Sequence, residues 1–180
     1  MRGVGAALLI TALGCSSTSD GDLFVELRTD LVAGVDFATA RVSIADPAMM
    51  MDRAVDPSAD YIAGARIAEF RALAAGTLTV RVGLLDATGV EVVHRTVRLD
   101  HRGDQGVLVV ITRDCAGVAG PGPGDDASKT TCFAGACVDP RCIDETTAEC
   151  PAPACTIDSD CAGLSACATP RCITGACLYA

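Results

Sequence analysis

The chain has 180 residues, 23 acidic against 14 basic side chains, a formal net charge of −9, no Trp, four Phe and two Tyr. That acidic balance argues against a nucleic-acid partner, because phosphate binding needs a basic face. The composition departs most from an ordinary domain in its 11 cysteines, ten of them between Cys115 and Cys177, in a length that accommodates one ordinary domain and a smaller one.

The chain opens "MRGVGAALLITALGCSSTSD": one Arg, an apolar run from Val4 to Leu13, then Gly14-Cys15 and a polar Ser/Thr stretch. That order is the pattern of a bacterial export signal, and the apolar run is too short to span a bilayer as a helix. Ala12-Leu13-Gly14-Cys15 resembles a lipobox, which implies a signal peptide over 1–14, cleavage before Cys15 and diacylation of its sulfur. The arithmetic agrees: with Cys15 committed to lipid, an even set of ten cysteines remains in an exported protein. Ser16 and Ser17 follow Cys15 in place of the Asp that retains lipoproteins at the inner membrane of enteric bacteria, so an outer-membrane location is expected.

Residues 15–21 read as the lipidated cysteine and a short tether. From 22 to 114 the text is β. "LFVEL" (23–27) and "ARVSIA" (40–45) alternate apolar and polar residues, and "TLTVRVGLLDA" (77–87) sets Leu78, Val80, Val82 and Leu84 on one face against Thr79 and Arg81. "VEVVHRTVRL" (90–99) and "GVLVVITR" (106–113) follow across Gly-bearing turns; "ARIAEF" (65–70) reads as a further strand, although "RIAEFRALAA" also fits a helix. Several short strands with turn signals between them predict a mainly β chain built as an antiparallel β-sandwich. "LAAGTLTVRVGLLDATGVEV" (73–92) resembles the stretch of immunoglobulin-like and carboxypeptidase-regulatory-type sandwiches in which a Gly turn leads into an alternating strand and an Asp/Gly turn. Those folds serve many functions, so the resemblance bears on architecture alone.

Residues 115–180 are different in kind. Cysteine aside, they hold only nine Val, Ile, Leu, Phe or Tyr residues, too few for an ordinary core, and a segment of this size needs staples. Beyond the cytoplasm disulfides persist, so Cys115, Cys132, Cys137, Cys142, Cys150, Cys155, Cys161, Cys167, Cys172 and Cys177 are expected to form five bridges. Each is worth about 2–4 kcal/mol in the chain-entropy picture. The frame C-x4-C-x4-C occurs at 132–142 and again at 167–177, each preceded by "DCAG", with Cys150 and Cys155 between. This predicts two small stapled units, with Cys150 and Cys155 either paired together or bridging them; spacing does not fix connectivity. "TRDC", "CVDPRC" and "SDCAGLSAC…CITGACLYA", after a lipobox and a β-rich stretch, resemble uncharacterised cysteine-rich lipoproteins of myxobacteria. The resemblance implies the architecture and leaves the function open.

Sharper chemistry finds little support. Zinc sites favour C-x2-C knuckles or paired Cys and His, and redox catalysis favours C-x-x-C; neither spacing occurs, and the two histidines, His94 and His101, lie in the β region. No metal or cofactor site is therefore assigned. "SKT" (128–130) lacks the glycines of a phosphate loop and follows Asp125 and Asp126; "RGD" (102–104) sits in a turn; Asp158 and Asp160 alternate as calcium ligands do, but Cys161 follows where such loops place Gly. Met49, Met50 and Met51 are expected at the tip of a long connection (46–64), as a flexible apolar contact for a partner. No G-x-S-x-G or H-E-x-x-H is present, so no catalytic residue is assigned.

The sequence thus predicts a lipid-anchored protein of the cell envelope. It would act as a non-catalytic binding or structural module, with the membrane as one partner and an envelope protein or glycan as another. Two alternatives come from other classes: a protease inhibitor using stapled loops, or an envelope enzyme whose site lies between the sandwich and the cysteine-rich region. The enzyme would be recognised by an acid, a histidine and a hydroxyl converging on one pocket.

Overall fold

A computed structural model of the chain describes residues 20–46, 48–118, 120–121, 126–144, 147–148, 150–161 and 168–180; Cys15 and Cys167 lie outside them. Seven strands come first: β1 (Gly21–Thr29), β2 (Thr39–Ile44), β3 (Met49–Ala54), β4 (Ala65–Leu73), β5 (Gly76–Leu85), β6 (Glu91–His101) and β7 (Gln105–Ile111). They form two sheets, ordered β4-β1-β7 and β3-β2-β5-β6. β1 shows the cause: in "GDLFVELRT" Leu23, Val25 and Leu27 are fully buried, while Asp22, Phe24, Glu26 and Arg28 face the other side. Leu78, Val80, Val82 and Leu84 of β5 enter the same core, joined by Val97 and Leu99 of β6 and Val107 and Val109 of β7. The chain is thus a β-sandwich in its first part, as its alternation predicts. Residues 65–70 are strand, not helix, because they pair with β1. Four ladders of the sandwich are antiparallel; the fifth, β1 with β7, is parallel and joins the first strand to the last.

The methionine run is not the tip of a loop. Met49–Ala54 is β3, an edge strand paired only with β2. All six of its residues are exposed, so no apolar alternation announces the strand in the sequence.

Among its described residues the cysteine-rich region forms two hairpins: β8 (Thr131–Phe133) with β9 (Ala136–Val138), and β10 (Pro170–Ile173) with β11 (Ala176–Tyr179). Four bridges staple it among the described residues: Cys115–Cys132, Cys142–Cys150, Cys155–Cys172 and Cys161–Cys177. Cys150 and Cys155 neither pair together nor bridge the two units; each closes within its own.

The repeat is real but its register differs from the expected one. Cys115–Cys132 and Cys155–Cys172 both close a separation of 17, and Cys132 and Cys172 stand cross-strand from Cys137 and Cys177. The equivalent triples are therefore 115, 132, 137 and 155, 172, 177, so the C-x4-C-x4-C alignment is displaced by one cysteine. What repeats is a hairpin whose two-residue turn has positive φ at both positions: Ala134 and Gly135 in the first, Thr174 and Gly175 in the second. That geometry matches the right-handed twist of the flanking strands and places Gly where a side chain would be strained.

The region packs on the sandwich. Cys115 and Cys132 belong to the sandwich core, while Phe133, Val138, Cys142, Ala176 and Leu178 form a second cluster with Val110 on the outward side of β7. The edge of β6 is capped as well: Thr96 N–H donates to Thr131 Oγ1 (2.8 Å) and Arg98 N–H to Pro140 O (2.7 Å). Backbone groups that would otherwise template another strand are satisfied there. Arg95, only 1% exposed, reaches across the seam from β6. Its Nη1 donates to Val110 O (2.8 Å), its Nη2 to Cys142 O (3.0 Å) and Ile143 O (3.2 Å), and the guanidinium lies 4.3 Å from the Phe133 ring centroid.

Candidate functional site

The seam between β6 and the first stapled unit leaves a cleft of about 250 Å3. One wall is the start of β6, Glu91 to His94; the other comprises the Cys115–Cys132 bridge, Gly117, Val118, Gly120, Thr130, Thr131 and Cys137. The first wall is set locally. Asp86 Oδ1 accepts the N–H groups of Thr88 (2.8 Å) and Val90 (3.0 Å), which fixes the turn into β6. A bulge at Leu84/Leu85 then places Glu91 opposite Leu85 and His94 opposite Gly83. Gly83 has no side chain to obstruct the carboxylate: a Cβ there would meet Glu91 Oε2 at 2.5 Å.

Glu91 Oε1 accepts Arg81 Nη2 at 2.7 Å and stands 2.9 Å from His94 Nδ1. Burial raises the Glu91 carboxyl, but the hydrogen bond and charge of Arg81, with His94 beside it, outweigh that and hold it below its ordinary range. A carboxylate only accepts, so the His94 Nδ1–H donates to it and a neutral His94 keeps its lone pair on Nε2. His94 is half-exposed, consistent with the strand-surface residue its sequence position suggests.

An acid, a histidine and two threonines therefore line one cleft, at the place expected of an enzyme site between the two regions. The arrangement stops short of a catalytic set. Thr131 Oγ1 is occupied by the Thr96 N–H, and among the described residues neither Thr130 nor Thr131 is hydrogen-bonded to His94. The second histidine does not join it: His101 lies seven residues along the strand, roughly 23 Å away at 3.3 Å per residue. His101 is fully buried, with Nε2 3.3 Å from Gly21 O and Nδ1 without a partner among the described residues.

The remaining sequence candidates fall into structural roles or stay apart. Met49, Met51 and Met50 stand 36%, 37% and 66% exposed on β3, away from the cleft. Asp160 Oδ2 accepts Thr156 N–H (2.8 Å) and Ile157 N–H (3.1 Å), and Asp158 holds Cys172 N–H (2.8 Å) and Arg171 Nη1 (2.9 Å). These partners hold both carboxyls below their ordinary range and make the turn a fastening for β10. In "RGD", Asp104 Oδ1 accepts the Asp22 N–H at 2.9 Å, which ties the turn to the start of β1. Three sulfurs, those of Cys155, Cys161 and Cys177, lie within 4.8 Å of one another, but all three belong to disulfides. Glu91, Arg81 and the cleft itself were not singled out from sequence. The signal available was the i, i+3 spacing of Glu91 and His94 at a strand start, which means little until a bulge bends them together.

The chain matches no protein-family model, and neither a curated protein nor a solved structure is significantly similar to it.

Proposed function

We propose that the protein is a lipid-anchored, non-catalytic binding module of the bacterial cell envelope, held in the outer membrane through Cys15, with the seam cleft as its ligand site. The observation that supports this most directly is the seam: a stapled region, docked on a strand edge through Arg95, preforms a polar cleft around Glu91 and His94. Rigid, concave and polar-lined surfaces are where small ligands or peptide ends bind. Among the described residues no hydroxyl is hydrogen-bonded to His94, which favours binding over covalent catalysis. The anchor rests on the lipobox at 12–15 and on the even set of ten cysteines that remains once Cys15 is committed. A thioether-linked diacylglycerol carries two chains, enough for stable attachment where one would not be.

The test is the intact mass of the mature protein extracted from membranes, alkylated before and after reduction. The expected result is a chain beginning at Cys15 with a diacylglyceryl mass and no thiol alkylated before reduction. A chain without lipid, or thiols open to alkylation in the native protein, would overturn the anchored, fully stapled reading.

A further inference from the structure

We infer that the sandwich stands on the membrane by one defined end: the β2–β3, β4–β5 and β6–β7 connections face the bilayer, and the opposite end is presented away from it. This rests on the lipid anchor proposed above and adds which surface meets lipid. The strand directions decide it. β1 begins at Gly21, at the end where β2, β4 and β6 finish. The β6–β7 turn is fastened to that end by the Asp22 N–H on Asp104 Oδ1, with Ala72 N–H on Asp22 Oδ1 (3.0 Å) beside it. Between Cys15 and β1 stand only residues 16–20, a reach of about 18 Å at full extension. β1 has nine residues and so rises roughly 30 Å. The far loops therefore stay off the bilayer unless the domain tips onto a side.

The far end carries four exposed valines on its loops, Val32, Val35, Val90 and Val118, at 51%, 80%, 62% and 37%. It is also firmly held: Arg113 N–H donates to Asp30 Oδ1 (2.7 Å) and its Nη2 to Asp36 Oδ2 (2.6 Å), tying the β1–β2 loop to the chain leaving β7. The C-terminal Tyr179 and Ala180 lie beside Thr29 to Ala33 at this end. The sandwich thus acts as a spacer that lifts the valine-bearing loops away from the lipid, while Arg102, 84% exposed, marks the membrane end.

The experiment introduces a photoreactive residue into the full-length, membrane-borne protein as Arg102→p-benzoylphenylalanine or Val35→p-benzoylphenylalanine. Both side chains are largely exposed, so neither change disturbs packing. After irradiation, mass spectrometry reads lipid adducts on each chain. Phospholipid or lipid A adducts at position 102 and none at position 35 are expected. Adducts at 35 matching or exceeding those at 102, or none at 102 on a chain that carries its Cys15 lipid, would overturn the orientation while leaving the anchor intact. A chain with no lipid on Cys15 would remove the anchor, and the orientation with it.

Discussion

At the scale of single residues, Arg95 decides the most. Alternation along β6 puts it in register with Val93, Val97 and Leu99, on the inward face. Burial disfavours its charge and brings its pKa down to about 10, against a small opposing pull from Asp144. Three backbone carbonyls and the Phe133 ring compensate, and two of those carbonyls belong to the cysteine-rich region. Arg95→Met keeps the volume but leaves the carbonyls of Val110, Cys142 and Ile143 without their donor. We expect a loss of about 2–4 kcal/mol, the usual cost of stranding buried acceptors, measured by denaturant unfolding. A loss indistinguishable from zero would show that water serves those carbonyls as well. The inward register of Arg95 was legible in the alternation of "VVHRTVRL"; what it bonds to was not, because its acceptors lie 15, 47 and 48 residues away.

At the scale of elements, apolar periodicity carried the strands and failed where periodicity is absent. β1 and β2 bury every second residue, as β5 does from Leu78 to Val82, and were readable. β3 buries none and was not. β7 gave a subtler sign: the unbroken "VLVVI" has Val107, Val109 and Ile111 in the sandwich core and Val110 in the second cluster, as strands covered on both faces tend to be. The hairpin repeat was visible as C-x4-C, but its register was not, since overlapping C-x4-C steps admit two alignments. The turn linking the first hairpin to Cys142 yields a pH prediction. Asp139 is hydrogen-bonded by the Arg141 side chain and then by its backbone N–H, which brings its carboxyl down to about 2 from 3.8. A depressed folded pKa means stability that is complete above about pH 4 and lost as pH falls towards 2. Amide protection of Arg98, which donates to Pro140 O, and of Cys142, which donates to Asp139 O, should therefore fall over that window. In Asp139→Asn it should already be lower at pH 5 and show no such step. Identical profiles in the two proteins would show that Asp139 does not hold the turn.

At the scale of the whole molecule, the cysteine-rich region is part of the sandwich's structure and not a pendant. It supplies Cys115 and Cys132 to the main core, covers Val110, caps the β6 edge and accepts two of Arg95's hydrogen bonds. A chain ending at Thr112 would strip Arg95 of those acceptors and of the Phe133 ring that covers its guanidinium. We expect it to be less stable than the full chain and to self-associate through the bared β6 edge. Thermal unfolding with size-exclusion chromatography checks this, and a monomer as stable as the full chain would refute it. By itself the sequence determined the mainly β class, the strands of the sandwich other than β3 and a disulfide-rich end, because alternation, turn residues and cysteine density act locally. The tertiary structure alone decided which cysteines pair, the re-registered repeat, the seam cleft and the pairing of Glu91 with His94. Those depend on where distant segments meet, and cross-strand register and the burial of Arg95 set that meeting, not any spacing along the chain.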